Sequence, residues 1–365
     1  MKKIVFGITS LTLGGAERVL VDIVNELKKD YDITIFTLYG NGEFESELDY
    51  GIKRVSVYNK KYNDLNFFQK KYMSLCMVSK FFRKNLFSKY IKGKYDVEIA
   101  FLEGPLTWLF SEESNARKIA WVHNDIELVF GVGKDANIKR SLSEESYNKY
   151  EKIAFVSKDN LNKFKKIFPN NATYKQVIYN YININNVITK SKVFIPKEYK
   201  NEDIKFVVVS RLTAQKGIDR LIEVHNILIK KIKHHIYVIG DGPMRSELED
   251  KIKTLNLNET FHLLGKKENP YPYIKYADYF MLPSRFEGYG MVIEEAKILG
   301  KPILITDTAA REAVIGYKNS IVVENSQEGV LNGMKKMIET NMQKNDIQKF
   351  DNKSIIHDIT DLIER

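Results

Sequence analysis

Short apolar runs alternate with amphipathic segments along most of the chain. The first unit of this pattern is an apolar run at 3–8, a glycine-rich turn, and a helix at about 16–28 whose apolar residues recur at helical spacing. Further apolar runs that read as buried strands lie at 32–38, 52–58, 95–101, 118–123, 152–157 and 176–179. Near-continuous apolar strands with helices between most of them predict a parallel sheet that is covered on both faces.

The pattern stops at 180–203, where polar residues without periodicity predict a linker, and then it begins again. Predicted strands follow at 205–210, 235–240, 260–264, 278–283 and 302–306, with helices at 218–232, 243–255 and about 290–299. We therefore predict an α/β protein with two Rossmann-like, doubly wound domains at 1–182 and 183–349, and a C-terminal helix at about 350–365 that packs back on the first. Ligands bind beyond the carboxyl ends of such strands, so two facing domains would enclose a cleft.

Composition narrows the class of protein. The 365 residues are 44% hydrophobic and 28% charged, which is typical of a folded protein with ordinary domains. A single cysteine, Cys76, can form neither an internal disulfide nor a zinc site. The run that follows Met1 ends in a glycine turn without a cleavage pattern, and no window holds about 18 uncharged apolar residues. We therefore expect a cytoplasmic location.

The positive net charge of +10 is concentrated in one stretch. Residues 51–100 hold 12 Lys and Arg against 3 Asp and Glu, an excess of 9, and within 60–94 these cations alternate with aromatic residues. Such a mixture suits a helix lying on an anionic membrane, and it equally suits a solvated helix face above ordinary core aromatics. A nucleic-acid partner is not expected, because the stretch contains no recognisable recognition module.

Two loops of the second half follow predicted strands and suit an anionic ligand. Residues 210–217 place Arg211 and Lys216 beside the start of a helix, where backbone N–H groups and the helix dipole favour an anion such as a diphosphate. Gly240 lies in another strand-to-helix turn, where a glycine permits close approach of backbone. Each loop alone is also compatible with an ordinary exposed turn.

The loop at 283–290 carries the strongest signal. Glu287 precedes a helix whose entry contains two glycines, and Glu295 lies eight residues on, up to about 12 Å along an α-helix. Carboxylates accept hydrogen bonds from vicinal hydroxyls, so the two could hold a transferred sugar and a ribose with a diphosphate between them. A surface helix with acidic residues near its start is the alternative.

These motifs resemble a known family. Glu287-x7-Glu295, framed by Pro283-Ser284-x-x-Glu287-Gly288 and by Glu295-Ala296-x3-Gly300-x-Pro302, resembles the signature of the retaining family 4 glycosyltransferases of the GT-B fold. Arg211-x4-Lys216-Gly217 and Gly240-x-Gly242-Pro243 are similar to the other donor motifs of that family, in the same order. The resemblance covers most of the chain and is strongest from about 206 to 307.

The resemblance implies an acceptor-side first domain, a donor-binding second domain, and transfer of a sugar with retention of configuration. It assigns the diphosphate to Arg211 and Lys216, the donor sugar to Glu287, and the ribose to Glu295. Other residues that it places near the donor are Gly14, Gly15, Gly240, His123, Gly288, Tyr289 and Gly290. His123, Arg211, Lys216 and Glu287 would be the catalytic group. Tyr289 departs from the family, which more usually has Phe or another apolar residue there.

No metal or other cofactor is expected, because positive charge and helix amides can stabilise a departing diphosphate. The one Asp-x-Asp, at 30–32, precedes its strand and should lie at the end of the sheet away from ligands. A UDP-sugar donor is favoured by family frequency, and a glycan or lipid-linked acceptor of capsule, exopolysaccharide or lipopolysaccharide synthesis is expected from the basic aromatic stretch. A non-catalytic GT-B partner protein and a nucleotide-sugar epimerase of the same fold remain alternatives.

Overall fold

The computed structural model describes residues 1–131, 133–199, 202–342 and 351–365. The chain divides into two compact units, one formed by Met1–Ile182 with Asp351–Arg365 and the other by Asn183–Phe350. The domain boundary predicted at 349–350 lies outside the described residues.

All strands of the described ranges are parallel to their neighbours. In the first unit they are β1 (Lys3–Ile8), β2 (Asp32–Tyr39), β3 (Lys53–Tyr58), β4 (Val97–Ala100), β5 (Arg117–Val122), β6 (Lys152–Phe155) and β7 (Tyr174–Val177). In the second unit they are β8 (Ile204–Val209), β9 (His234–Ile239), β10 (Phe261–Leu263), β11 (Tyr279–Leu282), β12 (Ile303–Thr306) and β13 (Ser320–Val323).

Helices connect most of these strands. They are α1 (Gly15–Leu27), α2 (Phe67–Val78), α3 (Lys80–Tyr90), α4 (Pro105–Phe110), α5 (Ile126–Phe130), α6 (Lys134–Tyr147), α7 (Lys158–Ile167), α8 (Ile184–Lys190), α9 (Ile218–Leu228), α10 (Arg245–Thr254), α11 (Tyr271–Tyr276), α12 (Met291–Ile298), α13 (Gln327–Glu339) and α14 (Asn352–Glu364). Short 3₁₀ helices lie at Glu43–Glu47, Tyr62–Asp64, Ala214–Lys216 and Ala309–Val314.

The two sheets share one topology. In the first unit the strand order is β3-β2-β1-β4-β5-β6-β7, and in the second it is β10-β9-β8-β11-β12-β13. The direction of the order reverses between β1 and β4 and between β8 and β11, and ligands of doubly wound sheets bind outside the carboxyl ends of the strands at such switch points. The central strands are buried along nearly their whole length, as strands covered on both faces require. The predicted pair of Rossmann-like sheets is therefore confirmed.

The predicted linker at 180–203 is wrong in part. Helix α8 lies inside it and belongs to the second unit, and the side chain of Asn183 caps the helix by accepting a hydrogen bond from the Asn186 N–H. Asn183, one of the asparagines that suggested an irregular chain, is thus a helix-capping residue. Strand β13, which the apolar pattern did not predict, is short and only half-buried at the edge of its sheet.

Helix α14 packs on the first unit. Its side chains Ile359, Leu362 and Ile363 are fully buried. Arg117 at the start of β5 donates a hydrogen bond of 3.0 Å to the carbonyl of Ile363, and Asn352 donates one of 2.9 Å to the carbonyl of Ile182. The helix therefore covers the amino ends of strands in the first sheet.

The basic aromatic stretch forms the helices α2 and α3. The inner face of α2 buries Met73, Cys76 and Met77, while its outer face is exposed. The guanidinium group of Arg83 on α3 is buried and contacts the carboxylate of Glu112 at 2.9 Å, so this cation belongs to the interior of the unit. Within the described ranges no helix combines the length and the apolar character that crossing a bilayer requires.

Candidate functional site

Two loops at the switch point of the second sheet carry the predicted donor residues. The first, at 210–217, follows β8, and the second, at 283–290, follows β11. We call them the cation loop and the glutamate loop. Because β8 and β11 are neighbours in the sheet, the two loops lie side by side at its carboxyl edge.

Lys216 and Glu287 are in direct contact. The Lys216 ammonium donates hydrogen bonds of 2.8 and 2.6 Å to the two carboxylate oxygens of Glu287. Both side chains are largely enclosed, at 17% and 11% exposure. The structure therefore brings together the cation predicted for the diphosphate and the carboxylate predicted for the sugar, 71 residues apart in the chain.

Arg211 occupies the same loop in a different environment. Its side chain is exposed, and among the described residues no hydrogen bond or ion pair engages its guanidinium group. A fork-shaped cation with this freedom, on the same loop as an enclosed ammonium, suits an anion with several oxygens.

The two adjacent glutamates on α12 have different hydrogen-bond partners. Glu294 accepts a hydrogen bond of 2.8 Å from the Tyr289 hydroxyl and pairs with the Lys297 ammonium at 2.8 Å. Glu295 is buried, and its Oε1 lies 3.3 Å from the hydroxyl of Tyr271. Both glutamates therefore contact other side chains of this unit, Glu294 through Tyr289 and Lys297 and Glu295 through Tyr271.

The glutamate loop enters α12 through a conformation that favours glycine. Gly290 immediately precedes the helix with φ of 78°, in the left-handed region. Tyr289 is buried, and its hydroxyl donates a hydrogen bond to the Glu294 carboxylate, so this side chain makes its polar contact within the protein. The sequence did not predict this contact.

Gly240 and Gly242 serve the packing of one loop on another. A Cβ on Gly240, whose φ is +140°, would lie 1.9 Å from the carbonyl oxygen of Ser210, and one on Gly242 would lie 2.4 Å from that of Leu212. The backbone of the turn after β9 therefore packs directly against the backbone of the cation loop. This explains the motif without requiring that Gly240 itself touch a ligand.

In the first unit, His123 follows β5, and α1 begins at Gly15, directly after its N-cap residue Gly14. His123 is buried, and burial lowers its pKa to about 3, so the imidazole is neutral near pH 7. Its Nε2 has no hydrogen-bond partner among the described residues. A Cβ on Gly14 would lie 2.2 Å from a carboxylate oxygen of Glu17.

Glu103, a residue that sequence reasoning missed, follows the neighbouring strand β4. Its carboxylate accepts a hydrogen bond of 3.0 Å from the His123 backbone N–H and another from the Asn124 side chain. A glutamate directly after a buried strand was the available signal. The Asp-x-Asp at 30–32 lies at the amino end of β2, as predicted, where Asp32 pairs with Lys53.

The fold and the loops define a class: two Rossmann-like domains of the GT-B type, with cations and carboxylates at the carboxyl edge of the second sheet. Residues 190–353 match the family described as "Glycosyl transferases group 1". The chain also resembles Anabaena Alr3699/HepE, solved in complex with UDP and glucose, with a TM-score of 0.76 at 17% identity over 100% of this chain and 99% of that one.

Several relatives are named glycosyltransferases. An N-acetylgalactosamine-N,N'-diacetylbacillosaminyl-diphospho-undecaprenol 4-alpha-N-acetylgalactosaminyltransferase of Campylobacter jejuni is 26% identical over 93% of this chain and 91% of its own length. The uncharacterised glycosyltransferase MJ1059 of Methanocaldococcus jannaschii is 28% identical over 57% of this chain. The O-antigen biosynthesis glycosyltransferase WclY of Escherichia coli is 29% identical over 43%. The chain spans 52% and 44% of these last two relatives. The family match and the named relatives show that the chain is similar to glycosyltransferases.

Proposed function

We propose that this protein transfers a sugar, with retention of configuration, from a nucleotide diphosphate sugar to a glycan or lipid-linked acceptor in bacterial cell-surface polysaccharide synthesis. The observation that carries the proposal is the contact between Lys216 and Glu287, with the unengaged Arg211 on the same loop. One cation of the site is paired with a carboxylate that is suited to sugar hydroxyls, and the other is available to an anion.

The proposed chemistry follows from the charge of these groups. The bond from the sugar to the diphosphate breaks with development of negative charge on the leaving phosphate oxygen, and two cations beside a helix start stabilise that charge in place. Glu287 would accept hydrogen bonds from the sugar, and Glu295 from the ribose. Since the charge is supplied by side chains and backbone, we expect transfer without a metal.

A UDP-sugar is the proposed donor. The solved Anabaena protein was captured with UDP and glucose, which supports the choice of UDP as the first probe. For the acceptor, the Campylobacter relative is named for a diphospho-undecaprenol substrate and WclY for O-antigen biosynthesis. A lipid-linked or glycan acceptor is therefore the class to test first.

The experiment is a thermal-shift screen of nucleotides and nucleotide sugars followed by a turnover assay. A ligand that binds only the folded protein raises its melting temperature. The best donor should therefore raise the melting temperature of the wild type and leave that of Lys216→Ala unchanged. Release of nucleoside diphosphate that depends on an added acceptor would support transfer. Lys251→Ala, which removes a cation from the ion pair between α10 and α9, is the matched control and should behave as wild type.

The same assay separates the alternatives. An epimerase would convert the sugar without any acceptor, whereas a non-catalytic partner protein would bind the donor and release no product. Absence of binding to every nucleotide and nucleotide sugar would contradict the proposal itself.

We further propose that α2 and α3 hold the protein on an anionic membrane at its cytoplasmic face. The outer stripe of α2, which we define as Phe68, Tyr72, Leu75 and Val78, is spaced at helical intervals and exposed, with Phe68 at 79%. Exposed Lys71 and Lys84 lie on the same pair of helices. Apolar side chains that can enter the acyl boundary, next to cations that meet headgroups, suit such an interface.

Vesicle flotation tests this surface. Binding to phosphatidylglycerol vesicles, weak binding to phosphatidylcholine vesicles, and loss of binding in Phe68→Ser/Leu75→Ser and in Lys71→Glu/Lys84→Glu would support it. Arg83 is left out of the charge reversal because it is buried against Glu112, so its replacement would test stability. Lys251→Glu, on the second unit, is the control. Equal binding by all variants would contradict the proposal.

A further inference from the structure

Backbone contacts join the cation loop to the glutamate loop. The Arg285 N–H donates a hydrogen bond of 2.7 Å to the Gln215 carbonyl, and the Gln215 side chain donates one of 3.1 Å to the carbonyl of Phe286. At Gly217, whose φ is +67°, a Cβ would lie 2.2 Å from the carbonyl oxygen of Pro283. The loops therefore pack with no side chain between them at this point.

Arg285 and Asp219 close this junction with a two-point ion pair. The two terminal nitrogens of Arg285 donate to the two carboxylate oxygens of Asp219 at 2.8 and 2.7 Å. One of them also donates to the Ala214 carbonyl at 2.6 Å. The hydrogen bonds from Arg285 hold the pKa of Asp219 below its usual range, so the aspartate is ionised near pH 7.

A second layer of contacts fixes the outer side of the junction. Arg220 donates hydrogen bonds of 2.8 Å to the Pro283 carbonyl and 3.0 Å to the side-chain oxygen of Asn325. Asn325 in turn donates one of 2.6 Å to the carbonyl of Arg285. The glutamate loop is thus held both by the Arg285–Asp219 pair and by the hydrogen bonds of Arg220 and Asn325.

The Arg285–Asp219 pair lies close in sequence to both Lys216 and Glu287. Arg285 lies two residues before Glu287, and Asp219 lies three residues after Lys216. We propose that Arg285 and Asp219 are positioning residues that fix Lys216 and Glu287 relative to each other, so that both are in place when a diphosphate enters. This inference rests on the proposed function, since it names what sets the geometry of the same site. Arg285 acts through Lys216 and Glu287, because its terminal nitrogens are already engaged by protein oxygens.

Preorganisation of this kind has a measurable effect. A bound anion benefits fully from Lys216 only if the ammonium is held where the phosphate oxygens lie, and displacements of about 1 Å in such sites can cost two orders of magnitude in rate. Arg285→Lys keeps the charge and loses the two-point geometry, while Asp219→Asn keeps the shape and loses the charge. Both changes are small enough for the fold to persist.

The experiment measures binding of UDP and of inorganic pyrophosphate by calorimetry, with melting temperatures in parallel. We expect Arg285→Lys and Asp219→Asn to weaken binding of both probes on the order of tenfold in the wild-type background. In a Lys216→Ala background the same changes should add less than about twofold, because they act through the missing ammonium. Lys251→Ala, which breaks an ion pair of similar exposure between α10 and α9, should leave binding unchanged.

A merely structural pair would lower the melting temperature and leave binding of the folded protein intact, or would weaken binding equally in both backgrounds. Either result overturns the inference. If wild-type protein binds UDP and the Arg285 and Asp219 variants bind it equally well, only the positioning role falls. If wild-type protein binds neither UDP nor pyrophosphate nor any other nucleotide, the proposed function and this inference fall together.

Discussion

Replacing Glu287 with glutamine should tighten the binding of UDP while weakening transfer. In the structure, the ammonium of Lys216 donates hydrogen bonds to both oxygens of the Glu287 carboxylate. A diphosphate that approaches Lys216 must compete with this carboxylate and also sits close to its negative charge. Glu287→Gln keeps the shape of the side chain and removes both effects, so a ligand that has phosphates but no sugar should benefit.

The size of the gain follows from the enclosure of the pair. At 17% and 11% exposure, the Lys216–Glu287 contact lies between exposed ion pairs, worth about 0.2–1 kcal/mol, and fully buried ones, whose disruption costs about 3–5 kcal/mol. If Glu287→Gln spares the diphosphate about 1 kcal/mol of competition for Lys216, the Kd for UDP should fall about fivefold. A nucleotide sugar should gain less, because the amide is a weaker acceptor for its hydroxyls than a carboxylate.

Calorimetry with UDP and a UDP-sugar measures both effects, and acceptor-dependent release of UDP measures transfer. Glu223→Gln, which neutralises the carboxylate of an ion pair in the same unit, is the control and should change neither affinity nor turnover. If Glu287→Gln keeps its melting temperature and binds UDP no more tightly than wild type, the carboxylate does not compete with the diphosphate and the reasoning is refuted.

Three further predictions concern stability. Burial lowers the pKa of His225 to about 3, so below about pH 6.5 the unfolded chain binds a proton at this residue and the folded protein does not. The free energy of unfolding should therefore fall by about 1.4 kcal/mol for each unit that the pH falls. His225→Gln should reduce this slope in urea titrations carried out between pH 6.5 and 5. An unchanged slope would contradict the assignment. Gly240→Ala should lower stability by more than about 2 kcal/mol, whereas Gly316→Ala, which has a positive φ but open space, should cost only the backbone strain; equal shifts in melting temperature would contradict the packing argument. Arg83→Ala should cost about 3 kcal/mol in chemical denaturation by leaving Glu112 unpaired, and Glu112→Gln added to it should recover part of that loss; no recovery would contradict the pairing.

The alternation of apolar runs was sufficient to predict two parallel sheets, because strands covered on both faces have few polar positions. The apolar pattern did not predict elements that are short or that bury few side chains. Strand β13 is half-buried and four residues long, and α8 is seven residues long and begins at an asparagine cap. Neither has enough apolar periodicity to stand out from a loop.

For the site, the order of strand, loop and helix made Arg211, Lys216 and Glu287 candidates, since ligand groups follow the carboxyl ends of strands, and their roles were taken from the family resemblance. The sequence could not reveal that Lys216 meets Glu287, because that contact depends on the pairing of β8 with β11. Arg83 lies in the basic stretch at 60–94, for which one interpretation was a membrane surface, yet its side chain is buried against Glu112. Local composition counts charges and carries no information about which of them are buried.

Helix α14 has a consequence for the order in which the protein is assembled. It covers the first sheet, yet Asn352 is 170 residues further along the chain than Ile182, to which it is bonded. During synthesis, residues 1–182 are made long before α14, so the amino ends of the strands in the first sheet stay uncovered while the second domain, a continuous insert, is made and folds. A fragment limited to 1–182 should therefore be prone to aggregation, and supplying residues 351–365 as a separate peptide should restore its solubility.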